Sequence, residues 1–330
     1  MSVVTPVYNG EPYLAQCIES VLAQTHGDFE YIIVNNRSQD QTAAIAEHYA
    51  RRDPRVRLVN SETFRSQIDN FNYSLSLLAP DAVYCKVVFA DDTIFPHCLE
   101  QMLQIAETDP EIAVVSAYES DGEHINLEGP PLGTPVISGR EACGRYLLTG
   151  NGLVGSFNTL LFRADEISRH TPFFVADDGH FEDIEILFKM LKGKKLGFAH
   201  QVLTFTRRDN VSTISRIAPF HPSLLMRMMM LRRHGAEVLS ASEYDEQLSA
   251  LKREYHRFLG ENMLRGRSAE FWDFHLTGLA KVGCAFSRAQ LVCAAALTCL
   301  DLALNPKSTL ERICQLWRQR SRAPQPLPSN

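Results

Sequence analysis

Val83-Tyr84-Cys85-Lys86-Val87-Val88-Phe89-Ala90-Asp91-Asp92-Thr93-Ile94-Phe95-Pro96 decides the fold. A mostly apolar run, Val83 to Ala90, closes on two adjacent carboxylates. Strands buried on both faces of a parallel sheet read as such runs. Open α/β sheets bind ligands beyond the carboxyl ends of their strands. Two acidic side chains at such an end can hold a hard divalent cation through oxygen ligands. The plain alternative for the same pair is capping of a helix that opens near Pro96.

The flanking sequence alternates strand and helix. Val3–Val7 reads as a strand, followed by a turn at Asn9-Gly10 and a helix from Pro12. Tyr13, Leu14, Cys17, Ile18, Val21 and Leu22 fall on one helical face. Tyr31–Val34 and Val56–Val59 read as strands, with a helix from Asp40 to Arg51 between them. Ile68, Phe71, Leu75 and Leu78 mark the next helix, and Leu99, Met102, Leu103 and Ala106 the one after Asp92. Ile112–Ser116, Thr159–Arg163 and Leu203–Thr206 supply further strands, and a helix starts near Phe181. This alternation predicts a doubly wound, mostly parallel sheet. Residues 120–150, rich in Gly and Pro around Gly129-Pro130-Pro131, read as a loop or flap. From Pro219 the pattern is helical to residue 320, and a Pro-rich tail from Ala323 is expected to be disordered. The expected organisation is therefore a domain over residues 1–215, a helical region over 216–322 and a tail over 323–330.

Composition narrows the class. An apolar share of 45% and a charged share of 22% suit an ordinary globular protein. The formal net charge of −6 is uneven: residues 1–215 carry 17 Lys+Arg and 29 Asp+Glu, leaving 16 and 10 for the rest. An acidic body speaks against nucleic-acid binding. The basic remainder meets an anionic acceptor or membrane, or is a solvated helical surface. Eight cysteines without a C-x-x-C pair signal no zinc ribbon or redox motif and suit a reducing cytoplasm. Strand-like sequence from Val3 argues against a signal peptide. Leu291–Leu304 is apolar but short and contains Asp301, so it reads as a core helix, with an interfacial helix second.

The first turn has one glycine, Gly10, where a dinucleotide fold needs G-x-G-x-x-G, and the P-loop pattern is absent. Phosphates must be neutralised by other means, and a cation at Asp91-Asp92 supplies one. Four stretches in order then carry a resemblance: Thr5-Pro6-Val7-Tyr8-Asn9-Gly10-Glu11, Tyr31-Ile32-Ile33-Val34-Asn35-Asn36-Arg37-Ser38-Gln39-Asp40-Gln41-Thr42, Ala90-Asp91-Asp92 and Phe181-Glu182-Asp183. Together they resemble the motifs of inverting family-2 glycosyltransferases of the GT-A fold, over roughly residues 1–215.

The resemblance implies a donor site at the first turns. Tyr8 would stack on the nucleobase, Thr5 and Pro6 would give backbone contacts, and Glu11 would reach a ribose hydroxyl. Packing under the turn is the alternative for Tyr8, and a dipole-favoured first-turn acid for Glu11. The family usually has two acids at Asn35-Asn36, the second accepting the N3–H of uracil. Asn36 can accept through its carbonyl oxygen and also donate. Thymine would present the same imide edge. Asp40 reads as a helix cap.

By the same resemblance Asp91 binds ribose or a metal-bound water, and Asp92 ligates Mg²⁺ or Mn²⁺. Asp183 is the base that takes a proton from the acceptor hydroxyl, with Glu182 orienting or replacing it. First-turn acids on a helix are the alternative. Asp177, Asp178 and His180 line the acceptor side or are solvated, and Asn158 borders the acceptor pocket. Arg207 contacts the diphosphate, and Asp209 stands where the family often has His. Trp272, Phe271 and Phe274 form an aromatic platform or pack a helix. Ile313, Leu316 and Trp317 with Arg312, Arg318, Arg320 and Arg322 form a membrane-surface helix or dock on the body.

The expected function is metal-dependent, inverting transfer of a sugar from a nucleoside-diphosphate sugar, uridine first, to a hydroxyl of a glycan, lipid-linked or protein acceptor. The setting is cytoplasmic, with peripheral contact at the inner face of a membrane. A non-catalytic nucleotide-sugar-binding protein of the same fold is the alternative, and a nucleotidyltransferase ranks last for want of a Gly-rich N-terminal loop.

Overall fold

The computed structural model describes residues 1–152, 154–175, 181–208 and 217–304. The chain divides into two compact units: Met1–Ala218 with Met230–Tyr244, and Pro219–Met229 with the chain from Asp245 onward. Asp177, Asp178, His180 and Asp209, and everything beyond residue 304, lie outside the described residues.

The first unit opens β1 (Ser2–Val7), α1 (Leu14–Leu22), β2 (Glu30–Asn35), α2 (Thr42–Ala50), β3 (Val56–Asn60), α3 (Gln67–Leu75) and β4 (Tyr84–Val87). β3, β2, β1 and β4 lie side by side, all parallel. Their apolar runs are explained by cover on both faces: Val3, Val4, Ile32 and Ile33 are wholly buried, as are Leu14, Ile18 and Val21 of α1. Pro6 fits inside β1 because pairing with β4 ends at Val4, so on that side no ladder bond is needed at Pro6.

Beyond β4 come β5 (Thr93–Ile94), α4 (Cys98–Ala106), β6 (Ile112–Ser120), β7 (Ile125–Asn126), β8 (Val136–Ser138), α5 (Gly139–Thr149), β9 (Leu161–Arg163), α6 (Ala164–Arg169), α7 (Glu182–Met190) and β10 (Lys195–Phe205). β9 lies between β4 and β6, antiparallel to both, so β6 runs parallel to β4. β10 runs parallel to β6. The carboxyl ends of β1, β2, β3, β4, β6 and β10 therefore share one edge. At that edge β5 pairs antiparallel with the last residues of β10, Thr204 with Ile94 and Phe205 with Thr93. This short ladder fastens the segment after Asp92 to the segment before Arg207.

The expected flap over residues 120–150 is corrected in part: it contains β7, β8 and α5. Ser138 caps α5 by accepting the N–H of Glu141 at 3.1 Å, and Gly150 ends it at φ 76°. The S-x-x-E pattern at Ser138–Glu141 was the available signal, masked by the Gly/Pro-rich stretch before it.

The second unit is helical among its described residues. It holds the first part of α8 (Ser223–Val238), most of α9 (Ala241–Leu264), α10 (Ala269–Lys281) and α11 (Arg288–Leu304). Its core includes Tyr255 and His275, joined by a 2.6 Å hydrogen bond, with the other His275 nitrogen 2.7 Å from the Phe220 carbonyl. Phe271 is buried against Phe258 and His275, and Phe274 stacks on Phe220. These aromatics pack a helix rather than form a platform. α11 departs from the core-helix expectation: Ala294 and Thr298 are buried, but its other side is exposed. No described helix is long and apolar enough to cross a membrane.

Candidate active site

Asp92 sits in the turn between β4 and β5, only 2% exposed. Its Oδ1 accepts the backbone N–H of Arg207 at 2.8 Å. The Arg207 guanidinium donates to the Asp91 carbonyl at 3.1 Å and to Gln16 at 3.0 Å, and lies over the Tyr13 ring at 4.3 Å. The turn and the segment after β10 thus hold each other. Burial pushes the Asp92 carboxyl up to about 7; the Arg207 N–H opposes this, while the charges of Asp91 and Glu119 add to it.

Glu119, at the end of β6, escaped the sequence reading. Its buried carboxylate accepts from Ser156 and Thr206 hydroxyls, each at 3.2 Å, and from Arg208 at 3.2 Å. The Thr206 hydroxyl is also within hydrogen-bond reach of Asp92. Glu119 and Asp92 together fix the start of the segment that follows β10. Glu119→Gln would turn an amide N–H₂ toward Arg208 or toward the hydroxyls. A stability loss of about 1–3 kcal/mol, measured by urea unfolding, is expected from losing a charge-assisted bond; an unchanged midpoint would show that this carboxylate fixes nothing.

The first turns form a second group. Tyr8, 46% exposed, meets Phe64, 60% exposed, edge to face at 5.0 Å. Phe64 was not singled out from the sequence, being a lone aromatic in a loop. Asn36 is buried, and its amide is engaged at both ends by one residue. Its Nδ2 donates to the Arg65 carbonyl at 2.9 Å, and its Oδ1 accepts the Arg65 N–H at 3.0 Å. Asn35 donates to Asn60 at 2.8 Å and accepts from the Ser38 N–H at 3.0 Å. The two asparagines lock the loop that carries Phe64.

Thr5 is wholly buried, its hydroxyl donating to the Val88 carbonyl at 2.8 Å and lying 2.9 Å from the Tyr31 hydroxyl. The whole residue, backbone included, is closed to solvent. Pro6 is half-buried beside it. Glu11 is exposed, and its carboxylate accepts the Gln41 N–H at 3.1 Å, tying the first turn to α2. Asp40 accepts the N–H groups of Thr42 and Glu11, so it secures the start of α2.

Glu182 and Asp183 open α7. Only Leu191–Lys194 separate the end of α7 from the start of β10. Burial pushes the Asp183 carboxyl above its usual range; the Ile184 N–H, donating at 2.8 Å, opposes this, and Glu182 adds to it. Farther along the helix, Glu185 binds His234 at 2.9 Å and Arg233 at 3.1 Å. Burial would raise this carboxyl, but the two partners outweigh it and hold it at about 2.

Asn158 does not border a pocket. It is wholly buried, its carbonyl accepting from the equally buried Lys86, which also binds the Leu160 carbonyl at 3.1 Å. Among the described residues no set of three His, Cys, Asp or Glu side chains converges as a metal cage. The donor chemistry at Asp92 nevertheless fits a hard cation. Its oxygens sit in a turn where burial first, and then the charges of Asp91 and Glu119, penalise the ionised carboxyl, a penalty that a bound cation would offset. Mg²⁺-type ions are commonly held by one or two carboxylates, with water and phosphate completing the shell.

The Glycosyl transferase family 2 model matches residues 2–166. Glycosyltransferase GlyG of Streptococcus pneumoniae serotype 4 is 31% identical over 126 residues, 37% of this chain and 41% of that relative. The chain thus spans less than half the length of that relative. In structure, S. aureus TarS in complex with UDP-GlcNAc matches with a TM-score of 0.63 at 15% identity, covering 90% of this chain and 87% of the other. Mannosyltransferase PcManGT from Pyrobaculum calidifontis, in complex with GDP-Man and Mn²⁺, matches at 0.52 and 17% identity, covering 94% and 81%. At these identities the structural likeness speaks for the fold.

Proposed function

Because this chain belongs to glycosyl transferase family 2, we propose that it is a metal-dependent, inverting glycosyltransferase acting on a nucleoside-diphosphate sugar, with uridine as the first choice of nucleoside. The acceptor is a hydroxyl of a glycan, a lipid-linked sugar or a protein, and the setting cytoplasmic. The observation that carries the reading is the buried Asp92 clasped to Arg207 at the carboxyl edge of the parallel strands.

The residues divide the work. Tyr8 and Phe64 offer exposed ring surface for a nucleobase. Pro6 supplies backbone edge, with Thr5 buried beneath it and bonded to the Val88 carbonyl; Glu11 reaches toward ribose, and Asn36 holds the loop while keeping a free lone pair on its carbonyl oxygen. Asp92, with Asp91, holds Mg²⁺ or Mn²⁺. When bound there, the cation neutralises diphosphate charge and stabilises the departing nucleoside diphosphate. Arg207 adds a guanidinium already oriented by Asp91, Gln16 and Tyr13. Asp183 removes the acceptor proton as the hydroxyl attacks opposite the leaving group, which inverts the anomeric carbon; Glu182 orients it. TarS bound to UDP-GlcNAc and PcManGT bound to GDP-Man and Mn²⁺ support a nucleotide-sugar donor and a divalent cation.

A thermal-shift screen of UDP, TDP, GDP and ADP, each with and without Mn²⁺, tests the reading. UDP with Mn²⁺ should raise the melting temperature most, by an amount that follows RT ln(1 + [L]/Kd). No shift with any nucleotide would sink it. In the same assay Phe64→Ala should weaken UDP binding by about tenfold, in line with the worth of one base–aromatic stack. Unchanged affinity would remove the ring from the base site.

A further inference from the structure

α11 combines one sealed side with one open side. Ala294 and Thr298 are buried. A Cβ on Gly260 of α9 would lie 2.5 Å from the Ala294 carbonyl, so the two helices are in close backbone contact there. On the opposite side Val292, Leu297, Leu300 and Leu304 are 58%, 55%, 57% and 70% exposed. Ala296 and Cys293 lie exposed among them, and the sequence carries no charge from residue 289 to 300. Four large aliphatic side chains left to water on one helix face mark an interaction surface.

The charge of the chain that follows selects the partner. Residues 305–322 carry Lys307, Arg312, Arg318, Arg320 and Arg322 against Glu311, a net of +4, interleaved with Ile313, Leu316 and Trp317. An uncharged aliphatic face next to a basic, Trp-containing stretch suits the boundary of an anionic bilayer, where apolar burial and attraction to lipid phosphate add. A contact between two copies would instead set two such stretches near like charge.

We infer that the open face of α11 docks on an anionic lipid bilayer. Val292, Leu297, Leu300 and Leu304 enter the headgroup boundary, and the basic residues after them answer the lipid phosphates. This placement is independent of the proposed chemistry, because its test reads partitioning and not turnover.

The 330-residue chain is sedimented with vesicles of phosphatidylglycerol and phosphatidylcholine, and with vesicles of phosphatidylcholine alone. It should bind the anionic vesicles and leave the neutral ones. Leu297→Asp with Leu300→Asp, both at exposed positions, should lower partitioning at least about thirtyfold while circular dichroism is unchanged. Replacing Arg318, Arg320 and Arg322 by Gln should lower it about fivefold per charge removed. Equal binding to both vesicle types, or anionic binding untouched by both variants, would overturn the inference. So would a dimer in light scattering that the leucine variant dissolves, which would assign the face to a second copy.

Discussion

Asp183→Asn should leave nucleotide binding intact and lower transfer roughly 10²–10⁴-fold, the usual worth of a positioned general base. The substitution keeps shape and removes the basic oxygen. Only interactions stronger in the transition state than in the ground state change the chemical step, so the loss should fall on kcat and leave the donor KM in place. The pH profile adds a second readout. Burial, with Glu182, raises the Asp183 carboxyl above its usual range. The base works only when ionised. Wild-type kcat/KM should therefore decline as pH falls through that raised value, on an acid limb above the ordinary carboxylate pKa of about 4. The variant's residual activity should lack this limb. Full transfer by Asp183→Asn would place the base elsewhere; an equally inactive wild type that still binds donor would favour the non-catalytic alternative.

Asp92→Asn should have the larger effect on binding. A neutral amide keeps an acceptor for the Arg207 N–H but is a poor ligand for a hard cation. Nucleotide affinity should lose its dependence on Mn²⁺, and turnover should fall by roughly a thousandfold, since charge stabilisation by a bound cation is worth several kcal/mol. The fold should survive. Asp92 is buried, with a carboxyl pushed up to about 7, so an amide removes a costly buried charge. Thermal unfolding without metal should be equal to or above wild type. A variant that still binds UDP in a Mn²⁺-dependent way would remove Asp92 from the cation site.

The parts of the fold legible in sequence were those with a local signal. The apolar runs of β1, β2 and β4 and the helical faces of α1 and α4 report burial directly. The antiparallel insertion of β9 carries no such signal, because three residues, Leu161–Arg163, look the same in either direction. Site residues divide in the same way. Asp91-Asp92 and Glu182-Asp183 stand out as adjacent acids at element ends. Glu119 is a single acid in a strand, and what matters about it lies far along the chain, at Thr206 and Arg208. Asn36 is visible, but its clasp on Arg65 is a contact across 29 residues that no spacing announces. α11 shows a different limit. Its apolarity is plain in sequence, whereas which side is sealed depends on the approach of Gly260 to Ala294.

Calorimetric titration of UDP with Mn²⁺ into Asp92→Asn and Asp183→Asn, side by side with wild type, tests the division of labour most directly. The account predicts wild-type affinity for Asp183→Asn and no Mn²⁺-dependent heat for Asp92→Asn. Equal, Mn²⁺-dependent binding by both variants, or loss confined to Asp183→Asn, would contradict it.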